Sequence, residues 1–425
     1  MNKSKKLWLT LGIAIFCGFF ILGWFGRELY RKVPPIPQRV ESATGEIILT
    51  KDDILRGQQV WQSIGGQQVG SIWGHGAYQA PDWSADWLHR ESVALRNLLS
   101  LKHYGKRFED LSSPLQAAIQ ERLKSEMRVN TYDKDTKTVI ISEDRAAAIA
   151  KTAEHYHALF GDNPNLKKLR ESYAIHESAI PQEQRRKAIA NFFFWTSWAA
   201  TTERPGLNVT YTNNWPHEPL VANHPTPANL VWSLISIACL IAGVGALVWY
   251  KVFRDKEESL PERIKDDPLD KIETTPSMKA AEKFALVVIA LFVFQVLLGA
   301  LTAHYTVEGD SFFGIPLAKI LPYSIARTWH VQLAVFWIAT AFLAAGLYLA
   351  PAVGGREPRF QRFGVNVLFT ALVAVVGGSL AGEWLSIQQV FELDTGFWFG
   401  HQGYEYVDLG RFWQILLFVG LFLPF

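Results

Sequence analysis

Two cysteines among 425 residues, Cys17 and Cys239, both inside apolar runs, leave no disulfide framework, no Cys-pair zinc site and no Cys-x-x-Cys-His for covalent haem attachment. Any haem must therefore be held non-covalently. Charge is scarce as well: Asp, Glu, Lys and Arg make up 19% of the chain and nearly cancel, to a net +2, so nothing points to nucleic acid as a partner. Lysine and arginine are almost missing from one set of loops, with Lys319 alone between His304 and Ile325 and none from Glu383 to Gly410. Strand signals are few, and no small-x-small cleavage site follows the first apolar run.

Hydrophobic residues are plentiful, at 49%. They gather in runs over residues 7–24, 230–252, 284–302, 326–349, 365–381 and 412–425, and a bilayer takes about twenty such residues to cross. The pattern predicts a mostly α, multi-span helical membrane protein with one polar domain. Four segments divide it: an N-terminal anchor over residues 1–33, a globular domain over 34–228, a second span and its loop over 229–280, and further membrane helices over 281–425. Helices are expected over 51–63, 83–107, 142–160 and 182–200 within the domain. The aromatic cluster from Phe192 to Trp198 reads as buried core or as a lid on the membrane surface.

The loops set an orientation. Lys251, Arg254, Lys256, Arg263, Lys265, Lys271 and Lys279 share one side with Arg356, Arg359 and Arg362, and the positive-inside rule makes that side cytoplasmic. Lys3, Lys5 and Lys6 then fall inside as well, and the globular domain outside. The chain stops within an apolar run at Phe425, which predicts a truncated chain or the first part of a longer one.

Arg327-Thr328-Trp329-His330 opens the fourth run. An ionisable ring just inside the membrane must find a hydrogen bond, a proton or a metal. Haem iron is one partner, and Arg327 can then pair with a propionate as a planar cation. The alternatives are a histidine facing water at the helix mouth or one bonded to a neighbouring helix. His75, His155, His157, His217, His224 and His401 carry less weight; His217, His224 and His401 lie in loop-like sequence that favours facing water. Glu383, at a span end, suits a proton or water path.

Three motifs in order carry a family resemblance: Gly74-His75-Gly76-Ala77-Tyr78-Gln79-Ala80-Pro81-Asp82-Trp83, then the stretch from Leu321 to His330, then Gly400-His401-Gln402-Gly403-Tyr404-Glu405-Tyr406. Together they resemble quinol-dependent nitric oxide reductase of the haem-copper oxidase superfamily. The resemblance implies a periplasmic domain with a cytochrome c-like fold, and where relatives carry the haem-attachment cysteines this sequence reads Gly66-Gln67-Gln68-Val69-Gly70. It implies a bacterial inner-membrane enzyme that reduces two NO to nitrous oxide and water with electrons from ubiquinol or menaquinol.

The resemblance implies site residues as well. His330 is an axial ligand of haem b, with Arg327 at a propionate. His304, Glu308 and Phe312 bind quinol, and if the third span's helix runs past Thr302 their spacing of four puts them on one face. Without the resemblance, His304 and Glu308 read equally as an ion pair in a solvated loop. Glu405 is a calcium ligand, with Gly76 and Tyr78 contributing, since hard oxygen donors suit calcium. Ligands of the high-spin haem and the non-haem iron, and with them the catalytic residues, are expected beyond Phe425. Membrane lipid is a partner throughout, and pairing as a homodimer is compatible with the sequence. Two other readings stay open: an oxygen-reducing quinol or cytochrome oxidase of the same superfamily, and a non-catalytic membrane anchor or assembly fragment.

Overall fold

A computed structural model describes residues 3–254 and 272–420. Lys256, Arg263, Lys265, Lys271 and the end of the chain from Leu421 to Phe425 lie outside the described residues. The chain starts with α1 (Lys3–Lys32), whose apolar side chains are exposed along its length. Strands β1 (Arg39–Ser42) and β2 (Ile47–Thr50) follow, and then α2 (Lys51–Ser63). A reciprocal cap starts α2: Thr50 accepts from the Asp53 amide while Asp53 accepts from that of Thr50 at 2.8 Å.

A short β-ribbon, β3 (Ser71–Ile72) and β4 (His75–Gly76), leads to α3 (Trp83–Tyr104). Asp82 caps α3 through the Ala85 amide at 3.0 Å and also accepts from the Gly74 amide at 2.7 Å, so one carboxylate fixes both the ribbon and the helix start. After α4 (Ser113–Arg128) come β5 (Tyr132–Asp133), β6 (Thr138–Ile141), α5 (Glu143–Leu159), α6 (Lys167–Ser172) and α7 (Glu183–Thr201). The strands form a small sheet in the order β2-β1-β6-β5, with β1 parallel to β6 and the other pairings antiparallel.

Helix α7 is the axis of this polar lobe, packed by α2, α3 and α5. Phe193 stacks on Trp83 at 5.2 Å between centroids, and Trp87 stacks on Tyr156 at 5.1 Å. The aromatic cluster is therefore core, with Phe192, Phe193, Phe194 and Trp198 all buried.

The membrane part consists of α8 (Pro227–Arg254), α9 (Pro276–Glu308), α10 (Tyr323–Gly354), α11 (Gln361–Ile387), the short α12 (Leu393–Phe399) and α13 (Arg411–Gly420). Among the described residues five helices, α1, α8, α9, α10 and α11, are long and apolar enough to cross a bilayer. The sixth expected span is represented by α13, ten residues among the described ones. Helices α9 and α10 make the closest pair and α11 packs on both, whereas α1 and α8 bury none of their apolar window.

Loops sort by end. The Ser277 amide donates to Glu357 at 3.3 Å, joining the start of α9 to the turn after α10, while the polar lobe meets the opposite end. There Gln389 donates to Ser63 at 3.0 Å and Arg185 bonds Gln389 and Glu392, each at 2.9 Å.

Candidate functional site

Each functional side chain stands where α9, α10 and the 400–410 loop meet the lobe. On α10, half-buried His330 turns its ring against α9, where its Nδ1 lies 2.8 Å from the Gln295 carbonyl. A carbonyl only accepts, so Nδ1 carries the hydrogen and the Nε2 lone pair is left for another partner. Gly299 makes room for the ring: a Cβ there would stand 2.7 Å from Cε1 and 3.0 Å from Nδ1 of His330. A carbonyl that fixes the tautomer and orientation of an imidazole is the usual support behind a metal-ligating histidine. His330 is thus bonded to a neighbouring helix through Nδ1, and Nε2 is the ring nitrogen left to take a further partner.

One helical turn before it, Arg327 faces the lobe, where its guanidinium bonds the Gln68 carbonyl oxygen and lies 3.7 Å from Glu405. Gln68 is fully buried and spends its amide on the Tyr404 carbonyl at 2.7 Å, the Glu405 carbonyl at 3.0 Å and Asp408 at 2.5 Å. The segment that lacks the haem-attachment cysteines therefore clasps the 400–410 loop. Gln67 continues the clasp: its amide donates to the Gly403 carbonyl at 2.9 Å, and its carbonyl accepts from Ala77 at 2.7 Å. Glu405 and the turn holding Gly76 and Tyr78 thus flank the same strap. Gly76 is buried, whereas Tyr78 is 84% exposed. Among the described residues no group of three or more His, Cys, Asp or Glu is placed to hold a metal ion.

His401 corrects the expectation of a water-facing ring. It is buried; Nδ1 accepts from the Gly403 amide at 2.9 Å, and Nε2 lies 2.9 Å from the Thr328 hydroxyl and 3.1 Å from Asp408. Both ring nitrogens are engaged, so this histidine locks the loop to α10. His217 and His224 do lie exposed, with their rings 5.0 Å apart, and His75 is exposed on β4. His155 and His157 sit partly buried on α5, and burial lowers the pKa of each.

At the C-terminal end of α9 the structure brings His304, Glu308 and Phe312 together, though not as one helical face. The helix ends at Glu308 because Gly309 adopts φ +78°, and the turn carries Phe312 back to lie edge-on to His304, with centroids 4.9 Å apart. The Nε2 of His304 lies 2.5 Å from the Ser311 carbonyl, so it bears the hydrogen. Nδ1 is left as a proton acceptor facing Glu308 at 3.7 Å, beyond hydrogen-bond length. The site can take a proton at the imidazole and balance the resulting charge with the carboxylate.

Glu383, expected at a span end, is fully buried between α10 and α11. Gln332 donates to its Oε1 at 2.6 Å, while Oε2 has no hydrogen-bond partner among the described residues. Sequence reasoning missed the roles of Gln68, Gln295, Gly299, His401 and Asp408. Asp408 lay within reach, two residues past the motif that ends at Tyr406. The others depend on contacts between distant segments and had no local signal.

Two families match. Residues 37–217 match the cytochrome c-like domain of nitric oxide reductase, and residues 279–424 match cytochrome c and quinol oxidase polypeptide I. A nitric oxide reductase chain from Stutzerimonas stutzeri is 33% identical over 98 residues, which is 23% of this chain and 19% of that relative. Proteins of these families work with haem and metal cofactors in membranes. A cytochrome c-like lobe of the reductase type joined to oxidase-type membrane helices makes this chain a multi-pass member of the haem-copper oxidase superfamily, on its nitric oxide reductase side.

Proposed function

We propose that this chain forms the electron-input part of a quinol-dependent nitric oxide reductase in a bacterial inner membrane, with its Lys- and Arg-rich loops in the cytoplasm and its lobe in the periplasm. One observation carries the reading. A single helix, α9, holds the His304, Glu308 and Phe312 cluster at its outer end and, nine residues earlier, the Gln295 carbonyl that orients His330. That separation is about 14 Å along the helix axis.

The stoichiometry agrees. Two NO become nitrous oxide and water by taking up two electrons and two protons, which is what one quinol releases. Phe312 packs against the quinol ring, His304 takes a proton at Nδ1, and Glu308 stabilises the resulting imidazolium. Nε2 of His330 would hold a haem b, which would supply a one-electron acceptor, and Arg327 would be the cation to pair with its propionates. Glu405, with oxygens of the Gly76 and Tyr78 turn, supplies the hard donors that suit a calcium ion. No residue among those described is assigned to the N–N bond-forming step. Lipid surrounds α1 and α8, whose exposed apolar faces require it.

The test uses the complete enzyme in membranes. His304→Ala should lower quinol oxidation on the order of a hundredfold, the scale of one lost general base, while the haem spectrum stays intact. His330→Ala should remove the low-spin haem bands. Unchanged quinol turnover in the first variant, or unchanged bands in the second, overturns the assignment; turnover of oxygen in place of NO moves it to the oxidases.

A further inference from the structure

Between the lobe and the outer ends of α9 and α11 lies an open cleft of about 820 Å³. Its walls carry charge of both signs: Asp162, Lys167, Arg170, Glu171 and Glu177 from the lobe, with His176, face Asp310 and Lys319 from the outer loop. Ser311 also lines it, and the Ser311 carbonyl is the group that accepts the Nε2 hydrogen of His304. Cleft and quinol site therefore share one wall, the turn from Gly309 to Ser311. The positive φ of Gly309 points this turn away from the end of α9, and Asp310 sits on its cleft side, between Glu308 and Phe312 in the chain.

Resting on the quinol reading, we propose that Asp310 is the proton relay through which protons released at His304 and Glu308 reach the outer water by way of this cleft. Quinol oxidation to quinone sends two electrons to a haem-class acceptor and frees two protons. Each proton passes first to His304 or Glu308, then to the Asp310 carboxylate, then to water in the cleft, and Asp310 returns to its ionised form. Burial raises the Asp310 pKa to about 6, with Glu171 adding to the rise and Arg170 opposing it. Tyr305 is the titratable group of α9 that faces Asp310 from below. A carboxylate with this value accepts a proton and gives it up again near neutral pH, as a relay must.

The experiment follows oxidation of short-chain ubiquinol and menaquinol analogues by the complete enzyme in proteoliposomes across pH, together with carboxyl titration by infrared difference spectroscopy. Asp310 can accept only when ionised, so the wild-type rate should fall as pH drops through about 6. Asp310→Asn should lose that inflection and run about tenfold slower at pH 7, less than the loss of a direct general base, because water in the cleft carries part of the traffic. Its haem spectrum should be unchanged, and an infrared carboxyl band titrating in wild type should be missing. Glu171→Gln removes a neighbouring negative charge and should move the inflection to lower pH. An Asp310→Asn enzyme that keeps the wild-type inflection, a Glu171→Gln enzyme without a shift, or the lack of a titrating band in wild type overturns the relay. His304→Ala separates the two ideas: if it oxidises quinol normally, the quinol reading itself fails; if it is slow while Asp310→Asn behaves as wild type, only the relay fails.

Discussion

Glu91 in the lobe and Glu383 between the membrane helices are both fully buried, yet they are treated in opposite ways. Glu91 has each oxygen matched, Oε1 by Arg145 Nε at 2.8 Å and Oε2 by the Trp87 indole at 2.8 Å. Among the described residues Glu383 has one hydrogen bond, donated by Gln332 at 2.6 Å to Oε1. Around it, Glu383 Oε2, Gln332 Oε1, Asp408 Oδ1 and the Trp329 indole nitrogen are all buried without partners among the described residues. A buried acid that is matched on both sides belongs to the scaffold. One left half-matched in a membrane is sustained by what passes or binds there. The lobe thus matches its deepest acid from within, whereas the membrane acid stands among groups left wanting within reach of α10.

Variants can break or sharpen this contrast. The largest effect should come from Glu91→Ala, which strands a buried Arg145 and should cost about 3–5 kcal/mol in denaturant or thermal unfolding of the lobe. A loss below about 1 kcal/mol would remove the distinction, since that is the worth of an exposed pair. Next comes Gly299→Ala: with a Cβ 2.7 Å from the His330 ring, the imidazole must move, at a cost of about 1–3 kcal/mol for overpacking. Optical spectra should show the low-spin haem bands weakened or shifted, and unaltered bands would mean that His330 does not need this cradle. Smallest is Glu383→Gln, which keeps an acceptor for Gln332 and exchanges a carboxyl group with no counter-ion among the described residues for a neutral amide. Unfolding stability should change by less than about 1 kcal/mol, and toward greater stability. A loss as large as that of Glu91→Ala would place the two acids in one class.

What the sequence made legible depends on whether a signal was local. Apolar runs marked α1, α8, α9, α10 and α11 because a bilayer demands length and hydrophobicity from each helix alone. Apolar and aromatic periodicity marked α2, α3, α5 and α7 to within a few residues. Helix α4 escaped, although Ile119, Leu123 and Met127 repeat every four residues on its buried face. The small sheet escaped too, because its strands are at most four residues long and β1 pairs in parallel with the distant β6. The candidate site shows the same split. His304 and Glu308 were readable as neighbours one turn apart, whereas Phe312 reaches them only through the turn at Gly309. His401 looked like a loop residue because its partner Thr328 lies 73 positions away. Local pattern predicts elements, and long-range hydrogen bonds decide which polar residues end up inside.

The 33 residues of α9 form one continuous helix from Pro276 to Glu308. When bilayer thickness or lateral pressure changes, such a beam tilts as a unit, so the spacing along it between His304 near its tip and the Gln295 carbonyl that braces His330 stays constant. If the tip receives quinol and His330 holds a haem, as proposed, the rate of electron transfer between them would be buffered against changes in the surrounding lipid.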